Sequence, residues 1–495
     1  MGIAKAHRPH AANYRGILRN YIGGEWIPSS ATDRQQVVNP ATSEALADVP
    51  LGNAEDVDLA VSAAQKAFWS WRQTPPQERV QCLYRLKRLM EQNRETIART
   101  VTEEHGKTLE DARGSVQRAI ENVEVACGIP SLMMGYGLED GAARGIDEEV
   151  IRQPLGVFAA ICPFNFPAMV PFWFLPYAVA CGDCFIVKPS EQVPLTQQVI
   201  FEMIAEAGFP PGVLNLVNGA RSAVEAILDH PGIRGVSFVG STPVARYIYR
   251  RASENGKRVQ AQGGAKNVLV LMPDAVLDKA VPNVMGSAFG SAGQRCLAGS
   301  LAVTVGDTGG KTASAIAEAA SALRVGNGLE PGVDIGPVIS EQAQERIIAA
   351  IQRGVDEGAH LAVDGRGAAE NRTGYFVGPT VFDQVRPDMT VAQQEIFGPV
   401  LGIIAVDNLD QAVHIIERLP YGNAASIFTQ SGRAAREFRY RSPVGNVGIN
   451  VGVAAPMAYF PFSGWKDSFF GTLHGQGRDA IDFFTDRKVV ITRWF

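Results

Sequence analysis

Cys184-Phe185-Ile186-Val187-Lys188-Pro189-Ser190-Glu191 reads as a strand whose apolar run ends in polar residues. Before it, Gly156-Val157-Phe158-Ala159-Ala160-Ile161 is wholly apolar, the pattern of a strand buried on both faces. The segment Pro163-Phe164-Asn165-Phe166-Pro167 leaves that strand's end. After it come a helix over 196–207, a strand at Val213-Leu214-Asn215-Leu216-Val217, a helix over 222–228 and a strand at Gly235-Val236-Ser237-Phe238-Val239. Strand and helix alternating at these spacings predict an α/β fold with a parallel sheet and crossover helices. Ligands of such sheets bind beyond the carboxyl ends of the strands. Those ends carry Phe164 and Asn165, then Lys188 and Glu191, then Gly240 and Ser241. Gly240-Ser241-Thr242 also opens a helix over 244–254, whose free N–H groups and dipole suit a phosphate, although no GxGxxG fingerprint is present.

Outward from this block, Tyr21–Trp26 and Val37–Pro40 read as short strands joined by turns, and helices follow over 57–68, 77–94, 95–104 and 108–133. The last of these carries Arg118, which by itself reads as part of a solvated face. A strand is expected over 148–152. The second half repeats the alternation, with strands at 267–272 and 300–305, helices at 280–289, 312–323 and 341–357, and a β-rich tail over 481–484 and 489–494.

Between helix 280–289 and strand 300–305 lies Ala292-Gly293-Gln294-Arg295-Cys296-Leu297-Ala298-Gly299. A thiol in a Gly-bounded segment beside a guanidinium is a candidate nucleophile, because the cation favours thiolate near neutral pH.

The chain has 495 residues, 46% hydrophobic and 20% charged, with a net charge of -5, which argues for a globular protein of two or three domains. Neither a nucleic-acid surface nor a polybasic membrane anchor is indicated. The apolar stretch 157–180 is interrupted by Pro163, Pro167, Pro171 and Pro176, too many helix breakers for a membrane span. Six scattered cysteines make no disulfide framework, so a reducing cytoplasm is expected. Lys5, Arg8, Arg15 and Arg19, with no acid among the first 24 residues, leave a mitochondrial presequence as the alternative. Cys181 and Cys184 have CxxC spacing without a second ligand pair, and the seven histidines lack metal-ligand spacing, so no metal site is expected.

PFNFP (163–167), KPSE (188–191), FVGS (238–241), GGAKN (263–267), GQRC (293–296) and EIFGPV (395–400) stand in the order and spacing of the aldehyde dehydrogenase superfamily, which the whole chain resembles. SLMMGY, GKRVQA, LMPDA and the arginine before the cysteine resemble its CoA-acylating methylmalonate-semialdehyde dehydrogenases. The resemblance implies a Rossmann-like NAD domain (1–133 and 154–263), a catalytic α/β domain (264–465) and a small β oligomerisation arm (134–153 and 466–495) in a dimer of dimers. It makes Cys296 the nucleophile and Asn165 its oxyanion donor. NAD would be held by Lys188, Glu191 and Gln192 near the adenosine ribose, by Ser241 and Gly263 along the phosphates, and by Glu395 at the nicotinamide ribose, with Phe164 and Phe397 lining the channel. Arg118 and Arg295 would bind the substrate carboxylate, for which a planar fork of donors is suited.

Two departures stand out. Gln192 replaces an arginine common in relatives after KPSE. Gln262 stands where hydrolytic members carry the glutamate that activates water, and where the acylating subfamily has asparagine. A carboxamide cannot take a proton at neutral pH, so hydrolysis of a thioester is expected to be slow. The reaction the resemblance then implies is NAD-dependent oxidation of malonate or methylmalonate semialdehyde, with decarboxylation and acyl transfer to CoA. The alternatives are a hydrolytic aldehyde dehydrogenase that releases free acid and a non-catalytic protein on the same fold.

Overall fold

The computed structural model describes residues 16–307, 310–370 and 372–495; Lys5, Arg8 and Arg15 of the basic N-terminal stretch lie outside them. Two large sheets organise the chain. The first runs in the order Glu25–Ile27, Asn20–Ile22, Leu214–Leu216, Cys184–Lys188, Val157–Ile161, Ile233–Val239, Arg258–Gln262, Phe469–Gly471. Its five central strands are parallel and its outer pairings antiparallel. Val157–Ile161 and Cys184–Lys188 are buried at every position, as continuous apolar strands covered on both faces must be. Successive strands step away from Val157–Ile161 first on one side, then on the other. The strand order therefore reverses beside this strand, which makes its carboxyl end the place where an open α/β sheet leaves a crevice.

The second sheet runs His360–Val363, Thr380–Asp383, Val400–Val406, Gly299–Val305, Asn267–Leu271, Ala424–Phe428, Asn446–Ile449, and only its first pairing is antiparallel. Each sheet has its own apolar core. Helix starts are set locally: Asn53 and Asp56 form a reciprocal capping box, and Thr108, Ser340, Asn408 and Ser431 cap with their side chains. The long helix expected over 108–133 breaks at Gly128 into Leu109–Cys127 and Ile129–Leu132.

A three-stranded sheet, Thr485–Arg493 on Ile146–Pro154 on Tyr136–Leu138, stands apart with Tyr136, Leu138, Val489, Ile491 and Trp494 exposed. The C-terminal stretch differs from expectation in two places. Phe469–Gly471 extends the first sheet instead of joining this arm. Ile481–Phe484 is the end of a helix, Gly477–Phe484, whose Ala480, Ile481, Phe483 and Phe484 are buried; four apolar-rich residues carry too short a period to separate helix from strand. Among the described residues no helix is long and apolar enough to cross a membrane.

Candidate active site

Helix Leu277–Phe289 ends at Gly290, and the chain then turns through Ser291 (φ 51°), Ala292 (φ 53°) and Gly293 (φ 69°) before reaching Cys296 and strand Gly299–Val305. Three left-handed residues in succession redirect the backbone from helix to strand within a few positions. Only glycine fits at 293, since a Cβ there would lie 2.1 Å from the Gly398 carbonyl oxygen. The Cys296 carbonyl accepts from Asn267 Nδ2 at 2.9 Å and Asn423 Nδ2 at 2.6 Å, which anchors the loop on the second sheet.

The electrostatics of the thiol correct the expectation drawn from its neighbour. Burial, reinforced by the Glu395 carboxylate, pushes the Cys296 thiol up to about 12, and Arg295 offsets little of this. The reason is geometric. Arg295 turns its guanidinium onto Asp111 at 2.5 Å, with further contacts to the Gly286 carbonyl at 3.2 Å and Ser291 Oγ at 3.4 Å. Nor is it the free carboxylate fork that was expected, because each of its nitrogens has a partner in the protein.

Asn165 lies just past the carboxyl end of Val157–Ile161, where the switch point puts it. Its Nδ2 donates to the Gln294 carbonyl at 3.0 Å, two residues before Cys296, and its own carbonyl accepts from Lys107 Nζ at 2.6 Å. Asn165 and the nucleophile loop, from opposite sheets, are thus in contact.

On the same crevice, the buried Lys188 Nζ donates to the Gly219 carbonyl at 2.8 Å and reaches Glu191 at 3.3 Å. Gln192 is half-exposed, with its N–H on Ser190 Oγ. Across Val157–Ile161, Ser241 begins helix Thr242–Glu254 with no side chain capping it, so the first N–H groups stay open. Glu395 Oε1 accepts from the Ala265 N–H at 2.9 Å. Burial raises its carboxyl to about 7, against the pull of that N–H, Lys266 and Arg346. Phe164 stacks on His105 (6.0 Å between centroids) and meets Phe397 edge-on (5.9 Å).

These groups fit a dinucleotide: an uncapped helix start for phosphate and a lysine–glutamate pair for hydroxyls. Gly264 leaves room for the Glu395 carboxylate, since a Cβ there would fall 2.3 Å from its Oε2. Beside it, Gly263 donates its N–H to Ser468 O and packs closely, since a Cβ there would fall 2.7 Å from Asp467 O and 2.9 Å from Thr242 Oγ1.

The aldehyde dehydrogenase family model matches residues 26–490. The chain belongs to the aldehyde dehydrogenase family. It is similar to malonate-semialdehyde dehydrogenase 3 of Geobacillus kaustophilus, 50% identical over 96% of this chain and 99% of that one. It is also similar to malonate-semialdehyde dehydrogenase 2 of Geobacillus thermodenitrificans, 51% identical over 96% and 99%. Among solved structures, methylmalonate-semialdehyde dehydrogenase of Oceanimonas doudoroffii superposes with a TM-score of 0.95 at 47% identity, covering 97% of this chain and 98% of that one. A putative methylmalonate-semialdehyde dehydrogenase of Sinorhizobium meliloti 1021 complexed with NAD gives 0.95 at 42%, covering 97% and 99%.

In this aldehyde dehydrogenase Gln262 is buried at the end of its strand, and its Nε2 donates to the Phe462 carbonyl at 3.0 Å. Phe462 in turn stacks on Trp173, 4.4 Å between centroids. Arg118 projects from helix Leu109–Cys127 against Met457, with its Nη1 on Glu121 at 3.0 Å. Tyr177 ties the 450–460 loop to that helix, donating to Asn122 Oδ1 (2.9 Å) and contacting the Ala458 carbonyl (3.1 Å). Arg295 borders a cavity of about 430 Å³ lined by Pro282, Asn283, Gly286, Ser287, Val451 and Val453.

The sequence reading missed Lys107, Asp111 and Lys266. Lys107 is fully buried and lowered to about 7 by burial, and Lys266, also lowered to about 7 by burial, has no hydrogen-bond partner for Nζ. Neither carries a local signal, since a lysine beside glycine or alanine reads as surface.

Proposed function

We propose that this enzyme oxidises malonate or methylmalonate semialdehyde with NAD and passes the acyl group, less CO2, to CoA, giving acetyl-CoA or propionyl-CoA. The observation that carries the proposal is Gln262. The residue at the expected base position has no proton-accepting group, and its amide nitrogen is tied to Phe462.

Cys296 Sγ forms a bond to the aldehyde carbon, and the thiol proton leaves to solvent. One Asn165 Nδ2 hydrogen is engaged by Gln294; the other, with the Cys296 N–H, is available to the oxyanion, a donor worth about 2.7–4 kcal/mol. NAD, when bound, is the hydride acceptor. Lys188 and Glu191 would hold its adenosine ribose with Gln192 alongside, Ser241 and the open helix start its pyrophosphate, Glu395 its second ribose, and Phe164 and Phe397 would flank that channel. The acidic Glu191 disfavours a 2′-phosphate.

The resulting thioester stabilises the enolate formed when the β-carboxylate leaves as CO2, and that enolate then takes a proton. CoA sulfur next attacks the thioester carbonyl, and Cys296 departs as thiolate and is reprotonated. Arg118 is the leading carboxylate ligand. Arg295 assists from its cavity-facing edge, once a substrate carboxylate competes with Gly286 for Nη1. The 1–133/154–263 segment serves the cofactor, 264–465 the acyl chemistry, and the three-stranded sheet is an arm for a cytoplasmic homo-oligomer, a dimer of dimers. Its exposed apolar strands support that role.

The test is NADH formation from methylmalonate semialdehyde and from propanal, with and without CoA, with products identified by mass. Repeated turnover only with CoA, yielding an acyl-CoA one CO2 lighter from the acidic substrate, is expected. Steady release of free acid irrespective of CoA would replace this function with hydrolytic aldehyde oxidation.

A further inference from the structure

The turn that delivers Cys296 is strained: Ser291 and Ala292 both sit in the left-handed region, which side-chain-bearing residues avoid. Such a conformation persists only where its surroundings hold it, and here one carboxylate outside the loop does so. Asp111 Oδ2 accepts the Ser291 N–H at 2.9 Å and the Ser291 Oγ–H at 3.2 Å, while Oδ1 takes the Arg295 guanidinium. Both ends of the turn are gripped by a single side chain. Arg295 and Lys107 hold the Asp111 carboxyl below its usual range even though burial alone would raise it.

Asp111 sits in the first turn of helix Leu109–Cys127. Four residues earlier, Lys107 follows the left-handed Gly106 (φ 91°), passes over the Phe166 ring at 3.9 Å and donates to the Asn165 carbonyl at 2.6 Å. The segment itself has little freedom. Leu109 N–H donates to the Gly328 carbonyl, and Gly328 and Gly336 pack so closely that a Cβ on either would lie 2.4 Å from Lys107 O or 2.0 Å from Gly106 O.

We infer that Lys107 and Asp111 together set the separation of Asn165 from Cys296, Asp111 by fixing the nucleophile turn and Lys107 by fixing the Asn165 backbone. This rests on the assignment of Cys296 and Asn165 as nucleophile and oxyanion donor. Both are positioning residues. One short rigid segment carries them, so the two halves of the oxyanion site, which come from different sheets, share a single ruler.

The experiment is a double-mutant cycle on the full-length enzyme, Lys107→Met with Asn165→Ala, beside Asp111→Asn and Asp111→Ala. It reads kcat, KM for propanal, NAD affinity and the rate of Cys296 alkylation by iodoacetamide. Each single variant at 107 or 111 is expected to lower kcat by about tenfold to a hundredfold, the scale of a small misplacement, with NAD affinity within about twofold. In the Asn165→Ala background the effect of Lys107→Met should shrink below about twofold, because the group it positions is gone. Lys107→Arg, which keeps the charge near Cys296, should restore part of kcat, and Asp111→Asn should change the alkylation rate more than Lys107→Arg does. Should Asp111→Ala fail to fold, the isosteric Asp111→Asn carries the same test. An undiminished effect of Lys107→Met in the Asn165→Ala background, or unchanged kcat in folded variants while Cys296→Ala is dead, overturns the positioning role alone. Activity in Cys296→Ala overturns the nucleophile assignment and this inference with it.

Discussion

At the start of helix Thr242–Glu254 Ser241 and the uncapped N–H groups after it are left open, whereas the side chain of Gln262 is buried and tied down. Ser241 is exposed, its helix is uncapped, and Glu191 is partly exposed. Gln262, by contrast, is buried: its backbone carbonyl accepts the Gly240 N–H and its side-chain Nε2 donates to the main-chain carbonyl of Phe462, a residue whose ring stacks on Trp173. Unpartnered donors suit a place that a charged ligand must enter and leave. A buried amide whose donor is already engaged suits a place where no water is to be activated. The proposed acyl transfer to CoA would use both.

The contrast breaks most completely if the atom it serves is removed. Cys296→Ala should reduce NADH formation by at least about 10⁴-fold, read by NADH absorbance at saturating aldehyde and NAD. Gln262→Glu converts the closed region into a basic one. Acid release without CoA should rise by about 10² to 10⁴, measured by product analysis, and urea unfolding should show a loss of about 1–3 kcal/mol as the donor to Phe462 disappears. Unchanged acid release would show that the missing base does not limit hydrolysis.

The thiol itself sharpens the comparison through pH. With its pKa raised to about 12 by burial, Cys296 is a thiol at neutral pH in the free enzyme. Its ionised form grows as pH rises, so alkylation should accelerate about tenfold per pH unit between about 7 and 9, with no plateau. A plateau near 7 would mean that Arg295 escapes Asp111 in solution. Arg118→Ala should raise KM for the acidic semialdehyde by about ten- to a hundredfold and leave propanal unaffected, as loss of a charge-assisted pair predicts. At the open end, Ser241→Asp should weaken NAD binding by about tenfold in a fluorescence titration, since a carboxylate would occupy the anion position at the helix start.

Much of the crevice was legible in advance. Lys188, Glu191, Phe164, Asn165 and Ser241 follow directly on strand ends, and a strand end is a local event that apolar runs and the polar residues after them disclose. Glu395 and Phe397 were recognisable only through the EIFGPV resemblance, since no periodicity marks them. The close packing of Gly263 was not legible, because its neighbours Asp467 and Thr242 come from distant parts of the chain. Ile481–Phe484 was misjudged because four residues hold too little of either period.

By itself the sequence determined the alternation of strand and helix, the polar residues at the strand ends and the absence of a carboxylate at 262, all of which depend on residue order and side-chain chemistry; the strand order that makes Val157–Ile161 the switch point came from the structure. Only the tertiary structure decided what Arg295 does. Its partner Asp111 lies 184 residues away, and a guanidinium that reads as an activator of the adjacent thiol instead clamps the turn beneath it. The same holds for Lys107 on Asn165 and for Gln262 on Phe462. Which donor meets which acceptor in a buried site is set by how separate sheets pack, and no local pattern encodes that distance.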